Sequence, residues 1–371
     1  MSLYDSRRRR YHDQFDWPLF LSVVLIAVIG VVNLYSATSP YALSGRTGLA
    51  DVYVNQVYWL VVGGLLAILV SVIDYRNFER LAYVLYVGGV VTLLLVFVLG
   101  GEIRGSSRWI KLGSFTFQPS EFMKILVILA VAKNLSEDSK SESRTLVDLL
   151  PAGFLCALPV VLVMSQPDFG TSTIYTLSVM AMMATIKIHH KTLAALAVSG
   201  VLGGIGLWEY ILLPYQKARV TSFLNPEQDK DAGWHALQSK TAIGNGGLTG
   251  EGFKEGTQNQ FGFLPDQFSD FPFSVFAEDH GFVGAASLLL LYGFVCIWSF
   301  NVAASAKDRF GSAVAVGVGA MFFWHTFFNV GMAVGIIPVV GITLPLFSYG
   351  GSSVITVLVG FGLLMNISMR R

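Results

Sequence analysis

The chain has 371 residues, of which 53% are hydrophobic and only 13% are charged, and its net charge is +1. A soluble domain carries about a quarter charged residues, so this composition excludes an ordinary soluble protein and indicates that lipid is the main solvent. No basic cluster interleaved with aromatic residues follows the first ten residues, which argues against a nucleic-acid partner. Cys156 and Cys296 lie in apolar runs and are interpreted as small buried hydrophobes.

Ten apolar runs are predicted to cross the membrane, since a spanning helix needs roughly 20 apolar residues. The first run follows the basic stretch Arg7–Arg10 but is too long for a cleaved signal peptide, so we interpret it as a retained anchor. The predicted fold class is an all-α polytopic membrane protein with about ten transmembrane helices. The predicted spans are 17–37, 57–73, 81–100, 120–133, 147–165, 171–187, 192–213, 273–300, 310–335 and 345–368.

The distribution of Lys and Arg among the loops predicts the orientation. With both termini in the cytoplasm, fifteen of these residues lie on the cytoplasmic side and nine lie outside. The chain is then a single membrane domain, 1–371, with one long extracytoplasmic loop at 214–272. A loop of this length is usually functional or disordered, and the aromatic residues and glycines of this one predict that it folds against the membrane domain.

Ionisable residues open the fourth predicted span, where they are costly and are functional candidates by default. Ser120 is predicted to cap the helix, Glu121 suits the positive end of its dipole, and Lys124 follows on the same face. One interpretation is an internal ion pair that compensates both charges. The other is a cationic site for an anionic headgroup, and the two are compatible because a pair can hold a lysine in place.

Three cations precede that span in the external loop, at Arg104, Arg108 and Lys111. Arginine binds phosphate oxygens in bidentate fashion, so the cluster suits a phosphate or a diphosphate. The alternative is ordinary snorkelling of long basic side chains at the membrane interface. After the fifth span, Asp168 stands in a tight external turn. We favour a capping role for it at the start of the sixth span, with cation binding as the alternative.

The end of the long loop carries Asp270 directly before the eighth span. From local chemistry the favoured role is an N-cap, with Pro272 in the first turn. The alternative is a catalytic base, because partial desolvation at the lipid–water boundary makes a carboxylate more basic. Glu278 and Asp279 either lie two turns deep in this helix or belong to an interfacial segment before a span that begins at Gly281.

Two further motifs are interpreted structurally. His325 and Asn329 are four residues apart in the ninth span and are predicted to make interhelical hydrogen bonds rather than to bind metal. The glycine-rich stretches 244–247 and 250–252 lack the Gly-Lys-Ser/Thr of a nucleotide-binding loop. They are predicted to form tight turns or to allow close approach of the backbone to a substrate.

The C-terminal stretch from Asn329 to Ser353 resembles, throughout its length, the signature of the SEDS (shape, elongation, division and sporulation) family. Further blocks of the chain resemble that family, and the resemblance covers nearly all of it. These blocks are Arg108–Lys124, Gln166–Thr171, Gln238–Gly247 and the segment around Asp270. The turn Asp74–Arg76 and the tripeptide Gly256–Gln258 resemble the RodA branch more than the FtsW branch.

The resemblance implies a ten-span polymerase that joins lipid II into β-1,4 glycan strands at the outer face of the bacterial cytoplasmic membrane. It implies partnership with a class B penicillin-binding protein and with other membrane proteins of the elongation complex. Remaining alternatives are a division-type polymerase, a flippase that moves lipid II across the membrane, and a non-catalytic scaffold. The charges cluster toward the outer surface and no internal repeat is evident, which favours surface chemistry over transport.

The resemblance also assigns roles to residues. Asp270 corresponds to the aspartate essential in the family and is predicted to be the base or the ligand of a divalent cation such as Mg²⁺. The predicted substrate-binding residues are Arg104, Arg108, Glu121, Lys124, Asp168, Gln238 and Ser348. In the segment around Asp270 the chain departs from the family pattern at Phe268, where the family commonly has histidine. Any role of that histidine in the family therefore cannot be essential in this protein.

Overall fold

The computed structural model describes residues 15–43, 51–103, 106–112, 115–138, 143–224, 232–264 and 266–371. Within these ranges the protein has thirteen α-helices and three short strands. The first helices are α1 (Trp17–Leu43), α2 (Val52–Val72), α3 (Tyr75–Leu99), α4 (Pro119–Glu137), α5 (Leu146–Ser165), α6 (Phe169–Met183) and α7 (His190–Gly206). The others are α8 (Pro214–Leu224), α9 (Ala232–Asn245), α10 (Thr257–Gln260), α11 (Pro272–Ala304), α12 (Arg309–Val334) and α13 (Gly351–Met369).

Eight helices in the described ranges are long and apolar enough to cross a membrane, which makes this a multi-pass membrane protein. They are α1, α2, α3, α5, α7 together with the π-helical turn Leu207–Ile211 that follows it, α11, α12 and α13. The fourth and sixth predicted spans are also helices, namely α4 and α6. Helix α6 has only 15 residues, and α4 carries Glu121, Lys124, Lys133 and Glu137 in its 19 residues. That α4 and α6 also cross the membrane, which would give ten crossings in total, therefore stays a prediction.

The centre of the bundle is formed by α4, α12 and α13, whose side chains are mostly buried. Helix α13 packs against α2, and α12 packs against α11, α4 and α6. Buried small residues allow close packing there, since a Cβ added at Gly317 would lie 2.6 Å from Ile128 and one added at Gly362 would lie 2.6 Å from the backbone of Ala67. Helix α7 differs, because almost none of its residues are buried.

Hydrogen bonds tie the helix ends together in two groups. At one end, Asp16 accepts from Trp298 Nε1 at 2.8 Å and from Ser368 Oγ at 2.5 Å, which joins α1 to α11 and α13. At the other end, Asn33 of α1 donates to the carbonyl of Pro272 at 2.9 Å. We call the second group the site end, because the predicted site residues lie there.

Several local predictions at the site end were wrong. The loop before α4 forms a small antiparallel sheet, β1 (Gly101–Ile103), β2 (Ser106–Leu112) and β3 (Phe115–Phe117). The N-cap of α4 is Gln118 rather than Ser120, because Pro119 takes the first helical position. The last span was predicted from residue 345, but α13 begins only at Gly351. Positive φ at Leu346 and extended backbone at Gly350 keep the preceding residues out of the helix.

The segment 335–350, here called the signature segment, connects α12 to α13 without regular structure. It begins at Gly335, whose φ of 72° ends α12 in the left-handed conformation that glycine adopts without strain. Its inner residues are buried, among them Ile342, Leu344, Leu346, Phe347 and Ser348. The segment is therefore part of the core at the site end.

The predicted long loop contains α8, α9 and α10, and its glycine-rich part packs on α11. A Cβ at Gly246 would lie 2.0 Å from the carbonyl oxygen of Ala277, and one at Gly250 would lie 2.2 Å from that of Asp279. These glycines therefore allow close approach to the protein's own backbone. The alternative of approach to a substrate is not needed to explain them.

Helix α11 is interrupted at Gly281, where φ is 63° and ψ is −166°. The break separates a short first segment, 272–280, from the run 282–304, which is long enough to span a bilayer alone. Glu278 and Asp279 lie at the end of the first segment. The interfacial alternative of the sequence analysis thus describes the backbone better than one continuous helix does.

Candidate active site

Lys124 and Glu121 form the buried ion pair that their spacing predicted. Lys124 Nζ lies 2.7 Å from Glu121 Oε2, and the lysine side chain is only 2% exposed. A second contact joins Lys124 Nζ to His325 Nε2 at 2.9 Å, across the interface between α4 and α12. Within the described part of the chain, these contacts engage two of the three N–H groups of the ammonium.

Asp270 lies directly before α11 and is half-buried. The N-cap of α11 is Phe271, which makes no side-chain cap, so the predicted capping role of Asp270 was wrong. The backbone of Asp270 is held instead, because Asn329 Nδ2 donates to its carbonyl oxygen at 2.9 Å. The carboxylate lies beside Gly341, where an added Cβ would come within 3.6 Å of Asp270 Oδ2.

Arg108 and Asp168 meet around the turn that precedes α6. Arg108 Nε donates to the carbonyl of Gln166 at 3.0 Å, and Nη2 donates to that of Pro167. Arg108 Nη1 lies 3.7 Å from Asp168 Oδ1. Asp168 caps α6, as favoured from the sequence, by accepting from Thr171 N at 3.2 Å and Thr171 Oγ1 at 3.0 Å. Arg108 therefore uses several of its N–H groups to hold this turn in place.

The signature segment connects these three groups. Asn329 donates to the carbonyl oxygens of Asp270 and Ile342. The carbonyl of Thr343, the residue after Ile342, accepts from His325 Nδ1 at 3.1 Å. This places the hydrogen-bond partners of Asp270 and of Lys124 one helical turn apart on α12. The predicted interhelical hydrogen bond is confirmed for His325, which contacts Lys124 of α4, whereas Asn329 donates to backbone carbonyls outside the helices.

The start of α13 extends the connection to the Asp168 turn. Thr343 Oγ1 lies 2.9 Å from Ser353 Oγ, and the neighbouring Ser352 accepts from Gln118 N at 3.2 Å. Gln118 Nε2 in turn donates to Asp168 Oδ2 at 3.3 Å. The three groups therefore share one hydrogen-bonded framework, although no direct contact joins Asp270 to Lys124 or Arg108 in the described residues.

The other predicted site residues lie apart from these groups or outside the described ranges. Ser348 is buried and internal to the signature segment, since its Oγ accepts from Leu344 N at 2.8 Å and its carbonyl accepts from Gln56 at 3.0 Å. Gln238 is half-buried on α9, next to Ser239, which contacts α11 and α12. Arg104 lies outside the described residues.

Magnesium was considered for this site from the sequence. Where the chain is described, no group of three or more His, Cys, Asp or Glu side chains converges to hold a metal ion. Mg²⁺ commonly takes only one or two carboxylates and completes its shell with water and substrate phosphates. The half-buried carboxylate of Asp270 fits that pattern as one protein ligand beside a phosphorylated substrate.

Glu278 and Asp279 were also candidates, and the structure gives them structural partners. Glu278 Oε1 accepts from Gln258 N at 2.8 Å and Oε2 from Asn259 N at 3.3 Å, at the start of α10. Asp279 Oδ2 accepts from Ser36 Oγ at 2.5 Å. These carboxylates hold the long loop and α1 against α11.

Known proteins resemble the chain over its whole length. A solved structure titled "Structural coordination of polymerization and crosslinking by a peptidoglycan synthase complex" contains a chain that is 32% identical, with a TM-score of 0.81 over 95% of this chain and 97% of that one. The rod shape determining protein RodA of Thermus thermophilus is 31% identical, with a TM-score of 0.70 over 96% and 97%.

A curated relative from Escherichia coli K12, named peptidoglycan glycosyltransferase MrdB, is 37% identical over 99% of this chain and 97% of its own. The family model FTSW_RODA_SPOVE, described as "Cell cycle protein", matches residues 16–371. The match covers more than nine-tenths of the chain, including every helix of the candidate site. The chain therefore belongs to the family of FtsW, RodA and SpoVE, the SEDS family predicted from its motifs.

Proposed function

We propose that this protein is a peptidoglycan glycosyltransferase of the elongation type, which polymerises lipid II into β-1,4 glycan strands. The relative named MrdB and the likeness to RodA support the activity and the branch. Within the site, the observation that carries the proposal is the position of Asp270. Its backbone is fixed by Asn329, it does not cap α11, and its half-buried carboxylate lies beside Gly341.

The proposed reaction is a single inverting displacement. The 4-hydroxyl of the acceptor sugar attacks the anomeric carbon of the donor, while the bond from that carbon to the lipid diphosphate breaks. The donor linkage is α and the product is β, so one displacement suffices and no protein nucleophile is needed. Asp270 accepts the hydroxyl proton, and general base catalysis of this kind contributes about 10²–10⁴-fold.

The leaving diphosphate needs positive charge where negative charge develops. Lys124 supplies it, because one N–H of its ammonium remains for a phosphate oxygen after Glu121 and His325 have taken the other two. A buried charge acts more strongly than a solvated one, since the local dielectric is low. Arg108 contributes through its partly exposed guanidinium and also orders the turn at Asp168. Arg104 is assigned to the same diphosphate.

A divalent cation such as Mg²⁺ would be held by Asp270 together with substrate oxygens. When bound, it would neutralise charge on the diphosphate. Lys124 and Arg108 have the same task in either case, since both bind the anionic group, whereas Asp270 acts as the base in one case and would hold the cation in the other.

The proposed location is the bacterial cytoplasmic membrane, with both termini in the cytoplasm and the site end facing outward. The excess of Lys and Arg on the predicted cytoplasmic side supports this orientation. The proposed partner is a class B penicillin-binding protein, together with other membrane proteins of the elongation complex. The solved structure with a TM-score of 0.81 supports it, because it is described as a peptidoglycan synthase complex that coordinates polymerisation with crosslinking.

The direct test is glycan-strand formation from purified lipid II by the detergent-solubilised protein, with and without a class B transpeptidase. We expect long strands from the wild type, with the partner raising the rate. A folded, partner-bound protein that makes no strands but moves lipid II across liposome membranes would contradict the proposal and support the flippase alternative.

A further inference from the structure

His325 is a buried ionisable residue that the proposed reaction does not use directly. Its side chain is 3% exposed and lies at the interface of α12 with α4 and the signature segment. Each ring nitrogen has one partner. Nδ1 lies 3.1 Å from the carbonyl oxygen of Thr343, and Nε2 lies 2.9 Å from Lys124 Nζ.

The chemistry of these two partners determines where the imidazole carries its proton. A carbonyl oxygen only accepts hydrogen bonds, so Nδ1 carries the hydrogen and donates to Thr343. A lysine ammonium only donates, so Nε2 offers its lone pair to Lys124. The ring is therefore neutral in the Nδ1–H tautomer, and a proton on both nitrogens would turn an N–H toward the ammonium.

We infer that His325 is a positioning residue that holds the ammonium of Lys124 for the leaving diphosphate, an inference that rests on the proposed function. Glu121 and His325 take two N–H groups of Lys124 from different helices. The four-carbon stem of lysine is flexible, and two fixed acceptors direct the third N–H. Glu121 alone, only one turn away on the same helix, leaves the lysine free to rotate about that single contact.

The same ring connects the leaving-group side of the site to the base side. Thr343 follows Ile342, whose carbonyl accepts from Asn329, and Asn329 also holds the backbone of Asp270. A rigid ring with an acceptor and a donor on opposite sides spans from the lysine to the signature segment. An apolar side chain of similar size fills the volume but makes neither contact.

The test compares two substitutions of His325 in polymerisation assays with lipid II. His325→Gln retains an acceptor for Lys124, whereas His325→Leu removes it. We expect the leucine variant to lose about tenfold in kcat, the effect of one buried charge-assisted hydrogen bond, with a smaller change in KM. The glutamine variant should recover at least half of the wild-type kcat. Equal losses in both, or an unaltered kcat in the leucine variant, would overturn the inference.

A matched control lies on the same helix. Thr326 is also buried, and within the described ranges its hydroxyl donates to the carbonyl of Phe322 at 2.9 Å, in its own helix. Thr326→Val should leave kcat unchanged. The double variant His325→Leu/Lys124→Met should lose no more activity than Lys124→Met alone, because His325 and Lys124 act as one unit. An additional tenfold loss in the double variant would show that His325 acts independently of Lys124.

A spectroscopic measurement tests the contact without any assay of activity. In protein labelled with ¹⁵N-histidine, the signals of His325 are those absent from His325→Gln. We expect a neutral ring with hydrogen on Nδ1, and a changed Nε2 shift in Lys124→Met. A neutral ring with hydrogen on Nε2, or a shift insensitive to Lys124→Met, would contradict the inference. If the wild type makes no glycan, the proposed function fails, and this measurement still decides the role of His325.

Discussion

Asp270 and Glu278 are carboxylates eight residues apart at the start of the same helix, yet they differ in burial and in their place in the fold. Glu278 is fully buried, and both its oxygens accept backbone N–H groups of the long loop. Asp270 is half-buried and is held through its backbone, so its carboxylate is not used to cap the helix. The first arrangement stabilises a fold, and the second presents a reactive group.

The comparison shows why burial alone does not identify a catalytic residue. A buried acid such as Glu278 is explained by structure, because both its oxygens accept backbone N–H groups that hold the long loop in place. Asp270 is only half-buried and its backbone is fixed by Asn329, so the residue is pre-organised at a position that a substrate can reach. Lys124 combines structural contacts with an available donor, since two of its three N–H groups have partners in the described residues.

The largest expected effect is that of Asp270→Asn. The amide keeps the shape and removes the charge and the basicity, so polymerisation should fall about a thousandfold, within the range of general base catalysis. The thermal midpoint should stay close to that of the wild type, because the amide has the same shape as the carboxylate and the backbone contact with Asn329 is retained. A rate above one-tenth of the wild type, measured from purified lipid II, would remove Asp270 from the mechanism.

Lys124→Met should have the next largest effect, about a hundredfold on kcat/KM. The variant also leaves Glu121 as an uncompensated buried charge, which is destabilising by about 3–5 kcal/mol. The double variant Lys124→Met/Glu121→Gln removes that charge, so its thermal midpoint should recover while its activity should not. If activity recovers together with stability, the ion pair is structural and Lys124 does not contact the diphosphate.

Glu278→Gln should affect stability more than the reaction. The amide can accept only one of the two N–H groups at the start of α10, so the protein should lose about 1–3 kcal/mol. Protease cleavage in the long loop should increase, and the rate per folded molecule should change by less than about twofold. Glu137→Gln is the matched control, because that side chain is exposed at the opposite end of the bundle. A large loss of rate in fully folded Glu278→Gln would contradict the assignment of Glu278 as a purely structural carboxylate.

Asp168 should give the smallest effect. Asparagine caps helices about as well as aspartate, so Asp168→Asn should retain stability and most of the activity, whereas Asp168→Ala should lose about 1 kcal/mol. The thermal midpoints and rates of the two variants check this. A severe loss of activity in folded Asp168→Asn would favour the cation-binding alternative instead.

Much of the membrane architecture could be predicted from hydropathy and charge. The long apolar runs correspond to helices, and the Glu121–Lys124 pair follows from helical spacing. The starts of α4 and α11 were predicted within one residue, at 120 and 273. The start of α13 was predicted at 345, about six residues too early, because it depends on positive φ at Leu346, a backbone conformation that hydropathy does not report.

The connections within the site could not be predicted from single-sequence patterns. Asn329 and His325 were recognisable as a polar pair on one face of a helix, but their partners lie elsewhere in the chain. Thr343 and Ser353 are uncharged and match no functional motif on their own. The hydrogen bond between them depends on the irregular path of the signature segment. Only a three-dimensional arrangement shows that these groups share one framework.

The most direct test of the account measures Asp270→Asn and Glu278→Gln side by side. The quantity is the initial rate of glycan polymerisation at saturating lipid II with the transpeptidase partner, divided by the folded fraction from the thermal transition. We predict a rate of about one-thousandth of the wild type for Asp270→Asn, and a near wild-type rate for Glu278→Gln. The reverse order, or equal rates, would contradict the assignment of Asp270 as the catalytic carboxylate.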